Sequence, residues 1–229
     1  MGRELKAKEF RWVFLALLAP LLFLGFSPGS KWTIGASAEW SNGNYTFAGG
    51  THPGALLLSG ITIVLYLWLL RSKVSAGAPT TQAFFRRPVA ALIDFVLAIV
   101  ATAPIFGIVP MLAEWRQTGS FAWNLERTTY FAGDKYVIGA TSLLAIAMLM
   151  TYFALPLLLG KPSPGACILG YQIVPDDGFE MTPLIALGRG ALDFVSLCEI
   201  YGTLFGILKR KRGSYWVDRF FHTHAIQLK

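Results

Sequence analysis

The hydrophobic pattern consists of long runs rather than short alternations. Apolar residues dominate four stretches, 12–26, 55–70, 88–112 and 136–159, and the residues between them are polar, basic or glycine-rich. A helix needs about 20 predominantly apolar residues to cross about 30 Å of hydrocarbon. The second, third and fourth stretches with their flanks are therefore read as membrane spans. The first is short for that thickness, and Trp12 and its neighbours complete it at the interface. Arg3, Lys6, Lys8 and Arg11 precede it and Ala36-Ser37-Ala38 follows it, which gives it the outline of a signal peptide. The small-residue site lies too far past the apolar run for ordinary cleavage, so we read an uncleaved first helix. Pro88 suits the first turn of a helix, where its missing N–H is no loss. Pro156 is expected to kink the fourth span near its end.

Basic residues set the expected orientation. Four fall in residues 1–11 and four in 71–87, whereas 27–54 holds only Lys31. The connection 113–135 has Arg116, Arg127 and Lys135, offset by Glu114, Glu126 and Asp134, and eight more basic residues follow from Lys161. Cytoplasmic segments are the Lys/Arg-rich ones. Both termini are thus expected in the cytoplasm, with two loops outside. The first outer loop reads as a hairpin. Lys31-Trp32-Thr33-Ile34 and Tyr45-Thr46-Phe47 flank Ser41-Asn42-Gly43-Asn44, and Asn-Gly is a preferred tight-turn pair.

After Lys161 the pattern changes. Residues 168–174 read as a short strand, closed by the turn signal Pro175-Asp176-Asp177-Gly178. Residues 184–208 are long enough to cross but carry Arg189, Asp193 and Glu199, and Lys209, Arg210, Lys211 and Arg212 follow at once. A single crossing would place those four basic residues outside, against the charge rule. The preferred reading is a helical hairpin or tilted helix in the cytoplasmic interface, broken near Gly188-Arg189-Gly190 or Gly202. The alternative is a crossing whose charges a partner holds. Arg189 and Asp193, four apart, can pair on one helix face. Residues 223–228 read as a second strand, expected to pair with 168–174.

Composition supports the membrane reading. Of 229 residues, 54% are hydrophobic and 14% charged, against about 25% charged in a soluble domain. The net charge of +7 sits mostly at the ends of apolar runs. Its expected partner is therefore an anionic lipid surface, with Lys209, Arg210, Lys211 and Arg212 as the contact. No aromatic-basic pattern of a nucleic-acid module is present. Cys167 and Cys198 form no C-x-x-C pair and are read as small apolar fillers. His222 and His224 are two imidazoles, too few for zinc, with His52 on the other side of the membrane. No nucleophile elbow, H-E-x-x-H or phosphate loop appears. Neither an enzyme nor a cofactor is expected.

The chemistry then rests on Asp94, seven residues and about 10 Å of helix after Arg87. An intramembrane aspartate faces the bundle and has a partner. It is either a proton- or cation-binding carboxylate, or half of an Asp94–Arg189 or Asp94–Arg87 pair that locks the surface helix to the bundle. Asp218 is expected to anchor the tail, near Arg219 or the 209–212 run. The polar set around Asp94 in the spans (Thr102, Thr141, Ser142, Thr151) is thin for a transporter, and no inverted repeat is visible.

Several motifs occur in an order that resembles the RDD family. Arg87-Pro88-Val89-Ala90-Ala91-Leu92-Ile93-Asp94 resembles its opening arginine and first aspartate. Gly165-Ala166-Cys167-Ile168-Leu169-Gly170-Tyr171-Gln172-Ile173-Val174 resembles its glycine-flanked segment, though Pro164 and Ala166 depart from it. Arg189 matches its next arginine, and Gly213-Ser214-Tyr215-Trp216-Val217-Asp218-Arg219 its closing aspartate. The resemblance covers residues 83–229 and implies a membrane domain there, with 1–82 a two-helix extension bearing the extracytoplasmic hairpin. Ion or proton exchange is one activity the family implies, and an accessory membrane role is another.

The expected fold is an all-α membrane protein: four transmembrane helices, a cytoplasmic-side interfacial or re-entrant segment, and a small two-stranded surface sheet. The expected location is a bacterial cytoplasmic membrane. Arg87, Asp94, Arg189, Asp193, Glu199 and Asp218 are the candidate structural or ion-binding residues. The preferred function is an accessory or structural subunit of a larger membrane protein complex. The alternative is a small exchanger using Asp94.

Overall fold

The computed structural model describes residues 35–41, 43–72, 76–79, 83–176, 179–194 and 216–228. In chain order these form strands β1 (Gly35–Ser41) and β2 (Asn44–Gly50), helix α1 (Pro53–Arg71), strand β3 (Ala76–Pro79), and helices α2 (Ala83–Phe106) and α3 (Ile108–Thr118). Strand β4 (Asn124–Arg127), helices α4 (Asp134–Leu158) and α5 (Pro164–Leu169) and strand β5 (Tyr171–Pro175) follow. Helices α6 (Pro183–Phe194) and α7 (Trp216–Phe221) and strand β6 (Thr223–Leu228) complete the chain.

Three helical stretches among the described residues are long and apolar enough to cross a bilayer: Pro53–Arg71, Arg86–Thr118 and Asp134–Leu158. The expected first span, 12–26, lies outside the described residues, so three of the four expected spans are seen. The second stretch joins α2 and α3 across Gly107. Pro110, in the first turn of α3, cannot donate to the carbonyl four residues back, and its ring crowds that turn, which explains a break here inside an unbroken apolar run.

The burial pattern of α1 is that of a membrane helix. Ala55, Ser59, Thr62, Tyr66 and Leu69 form a buried stripe at helical spacing, while Leu57, Val64 and Leu67 are exposed. In the first half of the helix small and polar side chains (Ala55, Ser59, Thr62) face protein while Leu57 and Val64 face outward, because lipid is as apolar as leucine and backbones approach best over small residues. The Ser59 hydroxyl donates to the Ala101 carbonyl and the Thr62 hydroxyl to the Leu58 carbonyl, so neither remains unsatisfied.

The described chain divides into two compact units. One draws on Leu65–Ala98 and the chain from Met150, and the other on Phe23–Val64 and Ile99–Leu149. In the first, β5 and β6 pair antiparallel from Tyr171↔Gln227 to Pro175↔Thr223, and β3 adds to the other side of β6. The expected pairing of the 168–174 region with the chain end is present, with two corrections. The sheet has three strands, in the order β3-β6-β5. The strand begins only at Tyr171, because Ile168 and Leu169 belong to α5. That short helix starts at Ser163, whose hydroxyl accepts from the Ala166 N–H, followed by Pro164 in its first turn; it stops at Gly170, φ 76°. Ala90, Ala166, Tyr171 and Ala225 form one small core, and Ala154, Leu157 and Ala186 another.

The second unit contains a hairpin over residues 35–50. Its strands pair from Gly35↔Gly50 to Ser41↔Asn44, with Gly43 at φ 81° in the turn. The expected Asn-Gly hairpin is therefore present, longer than the sequence suggested; Lys31-Trp32-Thr33-Ile34 lies outside the described residues. Strand β4 pairs antiparallel with β2, giving a second three-stranded sheet in the order β1-β2-β4. The fold is thus mostly helical with two small antiparallel sheets, not all-α.

Candidate functional site

Arg87 and Asp94, seven residues apart on α2, share a helix face and are both buried. Arg189 on α6 is fully buried, as are Asp218 on α7 and Thr223 at the start of β6. The chain therefore brings four of its candidate residues into the interior of one unit.

The first centre is built on Asp218. Arg87 Nη1 donates to Asp218 Oδ2 at 2.5 Å, and Arg189 Nη2 to Asp218 Oδ1 at 3.1 Å. Arg189 Nη1 also donates to the Thr223 hydroxyl at 2.8 Å, and that hydroxyl lies 3.3 Å from Asp218 Oδ1. Two guanidinium groups thus converge on one carboxylate. The network ties α2 and α6 to α7 and β6. Asp218 is joined to Arg87 and Arg189; the basic residues 209–212 and the Arg219 side chain, expected near it, lie outside what the structure describes. Arg189 reaches Asp218 and Thr223; the Asp193 side chain, its expected helix-face partner, lies outside what the structure describes.

The second centre is built on Asp94. Its Oδ2 accepts from the Ser163 hydroxyl at 2.5 Å and its Oδ1 from the Gly165 N–H at 2.7 Å. The carboxylate sits against the start of α5, where free backbone N–H groups favour negative charge. The approach is close: a Cβ on Gly165 would collide with the Ala90 carbonyl and come within 2.9 Å of Asp94 Cγ. A cavity of about 40 Å³ adjoins the carboxylate, lined by Ala91, Phe153, Pro156, Lys161 and Tyr171 among others. Lys161 Nζ donates to the Ser72 carbonyl at 2.7 Å. Tyr66 and Tyr152 stack at 4.7 Å, and the Tyr66 hydroxyl donates to the Tyr152 carbonyl at 2.7 Å. The buried Tyr152 hydroxyl makes no hydrogen bond among the described residues.

The second unit has a polar node of its own that the sequence reading missed. Arg127 on β4 pairs with Glu114 at 3.0 Å and with Asp134, and stacks over the Phe47 and Phe131 rings at 4.6 and 4.2 Å. The Tyr45 hydroxyl donates to Asp134 Oδ2 at 2.6 Å. Burial, reinforced by that bond, pushes the Tyr45 hydroxyl from 10.0 up to about 12. The sequence showed Arg127, Glu114 and Asp134 only as charges that offset one another along a loop.

Of the other candidates, Asp193 lies in α6, while Glu199, Lys209, Arg210, Lys211 and Arg212 lie outside the described residues. His224 contacts Asp176 at 2.9 Å at the partly exposed end of the β5–β6 pair, and His222 stacks on Phe179. Among the described residues no three His, Cys, Asp or Glu side chains cluster as metal ligands. Cys167 is buried in α5. The sequence reading missed Ser163 and Gly165 as partners of Asp94; the signal that points to them is Ser163-Pro164, which suits an N-cap and first helical turn.

Comparison with known proteins gives one family match: the model described as RDD family matches residues 81–221. No curated protein and no solved structure matches the chain.

Proposed function

The chain belongs to the RDD family, a family of membrane proteins, and on that premise we propose that it is a non-catalytic membrane subunit that packs against a larger membrane protein complex. In this reading the Arg87, Asp94, Arg189 and Asp218 cluster is a lock that gives the subunit its shape. The observation that carries it is the use of the charges. Asp218 binds two arginines from two other elements, and Asp94 accepts from a serine hydroxyl and a backbone amide. A carboxylate committed to fixed donors is suited to joining elements. In this reading the chain sits in a bacterial cytoplasmic membrane; the basic flanks favour both termini inside, and Lys209, Arg210, Lys211 and Arg212 serve as contacts for anionic headgroups.

One observation favours the alternative, a proton or cation exchanger working through Asp94. The cavity beside that carboxylate has about 40 Å³, against about 10–15 Å³ needed to admit one water. Flux through vesicles containing the purified chain separates the two. A subunit of the proposed kind leaves proton and alkali-cation flux at the level of protein-free vesicles. Flux above that level that disappears in Asp94→Asn would establish the exchanger.

A further inference from the structure

The connection between the second and third spans carries exposed aromatics at close intervals. Trp115 lies in the last turns of Arg86–Thr118 and Tyr136 in the first turn of Asp134–Leu158; Phe121, Trp123 and Tyr130 lie between them. Each is close to half exposed or more, from Trp123 at 43% to Tyr136 at 70%. Trp40 on β1, 66% exposed, joins the group through Tyr130, with ring centroids 5.9 Å apart. Such a concentration of exposed rings needs a covering.

We propose that the β1-β2-β4 sheet lies in the lipid headgroup layer, with these aromatics as its anchors, instead of standing free in water. The argument begins with the spans. Residues 119–133 leave one membrane helix and enter the next, so their distance from the hydrocarbon boundary is limited at both ends. Strand β4 lies in that connection and pairs with β2 through Phe47↔Arg127 to Gly50↔Asn124. The Thr51 N–H donates to the Trp123 carbonyl at 3.0 Å just before α1 begins. The sheet is thereby tied to the ends of all three described spans. Trp115 and Tyr136 belong to the spans themselves, whose exposed residues include Leu112, Leu143 and Ile146, and this continuity in sequence with lipid-facing helices argues for lipid as the occupant.

The chemistry of the rings fits that layer. Tryptophan and tyrosine carry an apolar body and one polar N–H or O–H, and they concentrate where a bilayer meets water. The Lys135 ammonium sits 5.0 Å from the Tyr136 ring centroid, which lets a cation stay at headgroup level beside an aromatic. Arg127 is turned inward to Glu114 and Asp134, so of the two charges on β4 only Glu126 is exposed, and a carboxylate is accommodated among headgroups.

Tryptophan fluorescence tests this with the full chain reconstituted alone in phosphatidylcholine vesicles. Variants retaining only Trp40 or only Trp123, with the other tryptophans changed to phenylalanine, are quenched with aqueous iodide or with lipid brominated at the headgroup end or at the tail end of its chains. Both emissions are expected to be blue-shifted, shielded from iodide and lost most strongly with headgroup-end bromine. Iodide quenching equal to that of free tryptophan, with no loss in brominated lipid, would overturn the proposal and leave the rim for a protein partner. The difference between wild type and the single changes Trp40→Phe and Trp123→Phe gives the same reading without the stripped background.

Discussion

Asp218 holds two arginines, and that imbalance sets the cost of losing it. In Asp218→Asn, Arg87 and Arg189 remain buried beside an uncharged amide. Removing one partner from a buried ion pair costs about 3–5 kcal/mol, so the variant should unfold in detergent at a clearly lower temperature than wild type. Thr223→Val removes one hydrogen bond to Arg189 and should cost only about 1 kcal/mol. Equal effects of the two changes would contradict the central place given to Asp218. Asp94→Asn retains an oxygen for the Gly165 N–H, and the Ser163 hydroxyl can turn to accept from the new amide. A loss of about 1–2 kcal/mol is expected, measured by the same unfolding assay. Tyr45 gives the pH prediction. A folded value of about 12 against 10.0 means that the protonated phenol is favoured by folding. Its contribution is complete below pH 10 and is lost as the pH rises through about 12. The tyrosinate absorbance titration of wild type minus Tyr45→Phe should therefore show a step near the upper value.

The elements differ in how much of them the sequence reveals. The three described spans were legible as continuous apolar runs with a turn or charge at their ends, and the β5–β6 pair as short stretches with Ile173-Val174 and Ile226 at their centres. Strand β4 was not. Asn124-Leu125-Glu126-Arg127 has one buried apolar residue, Leu125, and it is a strand because the open edge of β2 lies beside it, a tertiary effect that local propensity does not carry. The start of β5 was misplaced for a related reason. Ile168 and Leu169 look like strand residues, yet Ser163-Pro164 begins a helix that extends to Leu169. The partner of Asp94 follows from that helix, and a search among opposite charges passes over a backbone amide. Gly165 tests this arrangement. Gly165→Ala would drive α5 away from the Ala90 carbonyl, and overpacking of this kind costs about 1–3 kcal/mol. The variant should show lowered thermal stability together with faster amide exchange at Gly165–Cys167. Unchanged exchange there would mean that α5 does not rest on α2 as closely as described.

At the scale of the whole molecule, the membrane character was legible from composition and run length alone, and the arrangement of charge was legible in part. The sequence reading named Arg87, Asp94, Arg189 and Asp218 among its six structural or ion-binding candidates, with Asp193 and Glu199. It did not reveal that Asp218 is the meeting point, because nothing local links a residue on α7 to one on α2 more than 100 positions earlier, a separation of 131. In the proposed subunit, buried charges hold the cytoplasmic elements together and the exposed apolar faces are available to lipid and to partner helices. The most direct measurement is the size of the assembly in native membranes. Extraction in mild detergent, native sizing and mass spectrometry of the co-migrating band should place the chain in a stoichiometric complex with larger membrane proteins. Migration alone or as a small homo-oligomer, under conditions that preserve other membrane complexes from the same preparation, would contradict the proposal.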